Sequence, residues 1–105
     1  MAHGTAPDIV DDERHHRFVA RVDGHEAELV YRRDAGVVVL VHTGVPDELG
    51  GRGLGGRLVA AAVDDARRRG LTVAVECPFA RSWIERHPGE VDGVAVLGAD
   101  RGGSD

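Results

Sequence analysis

The stretch Gly50-Gly51-Arg52-Gly53-Leu54-Gly55-Gly56-Arg57, running into Leu58-Val59-Ala60-Ala61-Ala62-Val63, decides how the rest of the chain is read. Five glycines in eight residues make a poor helix interior and a poor strand. Such a density belongs where the backbone turns tightly, takes positive φ, or lets a ligand approach with no Cβ in the way. Apolar residues then recur at three- and four-residue spacing (Leu54, Leu58, Val59, Ala62, Val63, Ala66), which predicts a helix over 53–69 stopped by Gly70. The loop therefore delivers its N–H groups to a helix N-terminus. Unpaired donors and the positive end of the helix dipole there favour an anion, typically a phosphate.

Outward from the loop, the chain reads as strands. Phe18, Ala20 and Val22 alternate with Arg17, Val19 and Arg21 up to the hairpin signal Asp23-Gly24. A second strand follows over 25–33 and turns at Asp34-Ala35-Gly36. Val37-Val38-Val39-Leu40-Val41 is a continuous run, expected of a central strand covered on both faces. Pro46 biases Val45 toward extended backbone, so this strand is able to run or splay as far as Val45. Beyond the helix, 71–75 is a short buried strand closed by Pro78. Residues 79–86 read as a helix with Phe79, Trp83 and Ile84 turned inward, ended by His87-Pro88-Gly89. Val91, Val94, Val96 and Leu97 leave room for one more short element. The expected order is β-β-β-α-β-α: an α+β fold in which an antiparallel meander joins a βαβ unit. Residues 1–12 are expected to form a flexible arm, 13–97 one domain and 98–105 a flexible tail.

Composition narrows the partners. The 105 residues allow one small core, and 42% hydrophobic content is that of a globular chain. A net charge of −5 argues against a nucleic-acid binder. The basic run Arg67-Arg68-Arg69 fits the last turn of the helix, where cations complement the dipole. Cys77 is the one cysteine, so no internal disulfide forms and a reducing cytoplasm is expected. No apolar run approaches a membrane span, and the histidines lack metal-ligand spacing, so neither membrane nor metal is expected. All 13 basic residues are Arg, which removes the Lys that a Walker-type phosphate loop requires.

Two readings of the glycine loop compete. Gly51, Gly53 and Gly56 match G-x-G-x-x-G, with Glu76 20 residues beyond, as in a dinucleotide fingerprint. That fingerprint follows its strand directly and opens repeated βαβ units, whereas here Pro46 intervenes and hairpins precede. The second reading is a resemblance. The loop resembles motif A of the GNAT superfamily of N-acetyltransferases, a Q/R-x-x-G-x-G/A turn. Taken with Leu40–Pro46, Cys77-Pro78-Phe79 and His87-Pro88, it is similar to the short single-domain members of that superfamily. The resemblance covers about Arg17 to Pro88. It implies acetyl-coenzyme A as co-substrate, held by its pyrophosphate at Gly50, Gly51, Arg52, Gly53, Leu54, Gly55, Gly56 and Arg57, and an amine as acceptor. The sequence departs from the pattern twice. Gly50 stands where Gln or Arg is usual, and Gly89 and Glu90 follow His87-Pro88 where the family often carries a tyrosine.

The resemblance also implies that the strands splay at Val41–Val45 and Val75–Cys77 to admit the pantetheine arm, with N–H groups near Val45 polarising the thioester carbonyl. Cys77 is then a candidate proton donor to the leaving thiolate, or a nucleophile; its bland alternative is a small buried hydrophobe. His42 is a candidate general base, or simply a strand end. Glu76 is a candidate base or amine recogniser, or a solvated carboxylate. Tyr31 reads as structural. A coenzyme A-binding or regulatory module without turnover, or a partner-binding module using Val-rich edges, remains the alternative.

Overall fold

Alternation along the second hairpin strand sets the middle of the sheet. In the computed structural model, which describes residues 8–99, Ala27, Leu29 and Tyr31 are buried while Glu26 and Arg32 face water. Six strands lie side by side in chain order: β1 Ile9–Asp12, β2 Arg17–Val22, β3 His25–Asp34, β4 Val37–Gly44, β5 Thr72–Val75 and β6 Val96–Leu97. The first four pair antiparallel; β4–β5 and β5–β6 are parallel. Parallel neighbours need crossovers, supplied by α1 (Leu54–Arg69) and α2 (Pro78–Arg86). The fold is thus the α+β meander followed by a βαβ unit.

Both helices cover one face. Leu58, Val59, Ala62, Val63 and Ala66 of α1 and Ala80 and Ile84 of α2 pack on Phe18, Leu29, Tyr31, Leu40 and Val73. Helix α1 stops where expected, with Gly70 left-handed at φ 71 and its N–H bonded to Ala66 and Arg67 carbonyls. Among the described residues the other sheet face carries no helix, which corrects the reading of Val37–Val41 as covered on both sides. Val38 and Leu40 are buried, whereas Val37, Val39 and Val41 are only partly so. The run is β-branched for strand preference, and one face of it stays half wet.

Two boundaries move. Residues 9–12, expected as part of an arm, form strand β1, because Asp11 accepts hydrogen bonds from Tyr31 Oη and from Arg33 Nη2 at 2.9 Å. Gly98, expected as tail, is tied down by its carbonyl, which accepts from Arg81 Nε at 2.9 Å. Residues 1–7 and 100–105 of the proposed arm and tail lie outside the described residues. Among the described residues, no helix is long and apolar enough to cross a membrane, and no group of three or more metal-ligating side chains comes together.

Candidate functional site

The glycine stretch folds in two steps. A single 3₁₀ turn over Asp47–Leu49 is pinned by Leu49, which is 1% exposed, and Gly50 N donates back to Asp47 O at 3.0 Å. Gly51 (φ 80) and Gly53 (φ 73) then take the left-handed region, where a Cβ would be strained. Gly53 is the N-cap of α1 and has no side chain to offer; no acidic residue stands in the first turn. The N–H groups of Leu54, Gly55 and Gly56 therefore have no acceptor among the described residues, and Arg57 N is the first to find one, Gly53 O at 3.1 Å.

These donors border an open cleft of about 320 Å³, walled by Val45, Pro46, Asp47, Leu49, the glycines and Phe79. Gly50 is extended at φ −63, a conformation any residue adopts. Gly55 and Gly56 lie inside the helix, where their missing Cβ serves packing. A Cβ on Gly55 would stand 2.7 Å from Phe79 Cζ, and one on Gly56 2.4 Å from Trp83 Nε1. This corrects the inward placement of Phe79, whereas Trp83 packs against the core as expected. Ala80 and Ile84 face the core, Trp83 is half-buried, and Phe79 is 40% exposed along the cleft.

The neighbouring strands open beside this cleft. Pairing of β4 with β5 ends at Leu40↔Val75, and Leu40 O accepts from both Glu76 N (2.9 Å) and Cys77 N (3.0 Å). Opposite β3, the register shifts between Val30 and Tyr31, so Val41 is an extra residue and β4 turns away. From Val41 to Gly44 the strand pairs only with β3. The two parallel strands splay there, with Cys77 at the apex.

Cys77 is 2% exposed and caps α2: its Sγ accepts from Ala80 N at 3.5 Å and lies 3.2 Å from Thr43 Oγ1. His42 and Glu76 lie elsewhere. His42 pairs with Val30 and Thr43 with Leu29, so the imidazole stands on the open face of the sheet while Thr43 shares the helix face with Cys77. Glu76 is on the open face too, joined to Arg32 Nη2 at 3.0 Å; that hydrogen bond raises the Arg32 guanidinium above its ordinary value. Arg52 sits 3.6 Å from Asp23 and Arg57 is exposed with no partner among the described residues; neither lines the cleft.

Thr43 and Phe79 are site residues that sequence reading did not single out. Thr43 needed the bulge at Val41 to be known. Phe79 needed the packing of α2 on α1, which brings its ring against Gly55. Tyr31 is structural: burial and its hydrogen bond to Asp11 push its phenol well above the ordinary value.

Known proteins resemble this chain. The chain is similar to the NMR solution structure of a GCN5-like protein from Staphylococcus aureus, with 33% identity and a TM-score of 0.69 over 91% of this chain and 93% of that one. It is 28% identical to the mouse protein NATD1 over 100 residues, covering 84% of this chain and 91% of the mouse protein. The cattle NATD1 is 31% identical over 83 residues, covering 76% of this chain and 74% of the relative. The family model of GCN5-related N-acetyl-transferases matches residues 17–94, from the first residue of β2 through the glycine loop and the Cys77 cap to the turn before β6. By that match, and by the meander, crossover and splay it spans, the chain belongs to the GCN5-related N-acetyltransferase family.

Proposed function

We propose that this protein binds acetyl-coenzyme A in the glycine-lined cleft and transfers the acetyl group to an amine. The observation that carries the reading is the first turn of α1. Its N–H groups are unpaired, no carboxylate occupies the turn, and Gly51 and Gly53 shape it without side chains. A diphosphate is complementary to such a turn in charge and in hydrogen bonding. The cleft volume is in the range of small-ligand sites, and its Val45, Pro46 and Phe79 walls offer apolar surface to an extended thioester arm. Because Gly50 carries no side chain and Arg52 and Arg57 stand outside the wall, the backbone supplies the holding groups, with the two arginines adding long-range positive charge.

The chemistry then falls to the splay. N–H groups near Val45 would accept the charge that develops on the thioester oxygen as the amine adds. Cys77, at the apex and hydrogen-bonded to Thr43, is within the same opening and would return a proton to the departing thiolate. His42, on the open face, would take the proton of the incoming amine. Glu76 is paired with Arg32. A binding module without turnover is the second reading; the separation of Cys77 from His42 and Glu76 across the sheet favours it.

Isothermal titration with acetyl-coenzyme A tests the first claim. Saturable heat with one site per chain is expected, and weaker heat with Gly51→Val, which strains the loop. No heat at millimolar ligand would remove coenzyme A from the account. Thiol release in the presence of amines then separates the enzyme from the binder.

A further inference from the structure

The cleft is electrically lopsided. At one end the N–H groups of Leu54, Gly55 and Gly56, which have no acceptor among the described residues, present partial positive charge. Among the described residues that line it, Asp47 alone carries an ionisable side chain; the others are glycines, a proline, aliphatic residues and Phe79. The Asp47 carbonyl is in use, accepting from Gly50 N at 3.0 Å to close the 3₁₀ turn. Its carboxylate is exposed and has neither an ion pair nor a hydrogen bond among the described residues. The arginines of the loop do not neutralise it. Arg52 is 3.6 Å from Asp23 instead, and neither Arg52 nor Arg57 lines the cleft. Asp47 follows Val45 and Pro46 directly, and two residues of chain keep its Cα within about 7 Å of the Val45 Cα.

We propose that Asp47 selects the donor by charge, admitting thioesters of uncharged acyl groups and disfavouring those of dicarboxylic acids. The inference rests on the acetyl-coenzyme A reading above and deepens it by naming the acyl class. In that reading the diphosphate takes the amides of α1 and the thioester carbonyl lies at Val45, so the acyl group shares its end of the cleft with Asp47. A second carboxylate at the tip of the acyl chain meets a like charge there, with no cationic side chain in the wall to offset it. For charges about 7 Å apart in an open, largely aqueous cleft, Coulomb repulsion weakens binding roughly three- to tenfold. A longer chain without charge meets only the apolar surface of Val45, Pro46, Leu49 and Phe79 and carries no such penalty.

Isothermal titration of the whole chain with butyryl- and succinyl-coenzyme A tests this, because the two acyl chains have equal carbon counts and differ in the terminal carboxylate. Wild type should bind the butyryl thioester roughly three- to tenfold tighter. Asp47→Asn keeps the shape and the carbonyl of the turn, and it should bring the two Kd values to within about twofold of each other. Glu48→Gln removes the neighbouring charge, which does not line the cleft, and should keep the wild-type ratio. Salt at about 1 M, where the Debye length is about 3 Å, should narrow the wild-type ratio as well. No preference in wild type, a ratio that survives Asp47→Asn, or a ratio lost equally in Glu48→Gln overturns the selection while leaving donor binding intact. Equal tightening of both thioesters by Asp47→Asn also overturns it, since the carboxylate would then act on the diphosphate. No heat with any thioester removes the coenzyme A reading itself, and the selection with it.

Discussion

At the scale of single residues, the five glycines of the loop do three different things. Gly51 and Gly53 are there for positive φ, Gly55 and Gly56 for the rings of Phe79 and Trp83, and Gly50 for neither reason. Substitution separates them. Gly51→Ala meets open space but an unfavourable φ, costing about 1–2 kcal/mol. Gly55→Ala and Gly56→Ala drive a methyl into an aromatic ring and should cost about 1–3 kcal/mol each. Chemical denaturation measures both. In a double-mutant cycle, pairing Gly55→Ala with Phe79→Ala should recover part of the loss, whereas pairing it with Trp83→Ala should recover less. Strict additivity with Phe79→Ala would mean that the ring does not need the glycine.

Elements meet at the other end of α1 through a polar cluster. Arg33 on β3 joins Asp11 of β1 at 2.9 Å and Asp65 of α1 at 3.0 Å, and Arg69 holds the second oxygen of Asp65 at 3.0 Å. Tyr31 completes the cluster by donating to Asp11 and accepting from Arg33 Nη1 at 2.9 Å, with the Arg33 guanidinium 4.4 Å from its ring centroid. This is what holds β1 on the sheet. Burial and the Asp11 hydrogen bond raise the Tyr31 phenol above its ordinary 10.0, so the folded state favours the protonated form. Its contribution to stability is fully present below pH 10.0 and is lost as pH rises beyond it. Tyr31 is the chain's one tyrosine, so tyrosinate absorbance reports it alone. That absorbance should appear only together with the loss of Trp83 fluorescence structure, and Tyr31→Phe should flatten the alkaline slope of stability. Ionisation near pH 10 in a still-folded chain would contradict this account of the cluster.

For the molecule as a whole, one face of the sheet builds the core and the glycine-lined cleft, and the other face carries His42, Glu28 and Glu76. A donor that binds only the native state stabilises it by about 2.7 kcal/mol at a hundred times its Kd. For a domain near 100 residues each kcal/mol raises Tm by about 4–8 °C. Acetyl-coenzyme A should therefore raise Tm by roughly ten degrees or more at that excess, and a nicotinamide dinucleotide should leave it unchanged. An equal rise with both would return the loop to the dinucleotide reading that its G-x-G-x-x-G spacing allows.

Local order in this chain was legible in its residues because it depends on neighbours in sequence. Alternation along 25–33, the apolar repeat from Leu54 to Ala66 and the stop at Gly70 determined the hairpin strand and α1 to within a residue or so. The glycine loop likewise announced a positive-φ turn at the N-terminus of α1. Only the tertiary structure decided what depends on residues far apart. Strand β1 needed Asp11 to meet Tyr31 and Arg33, more than 19 residues away. The bulge at Val41 decided that Thr43 and not His42 falls on the helix face, which no strand pattern records because one extra residue inverts every side chain after it. Phe79 became a cleft wall because Gly55 lets it lie across α1. The sequence wrote the periodicities; packing between distant segments assigned each side chain its face.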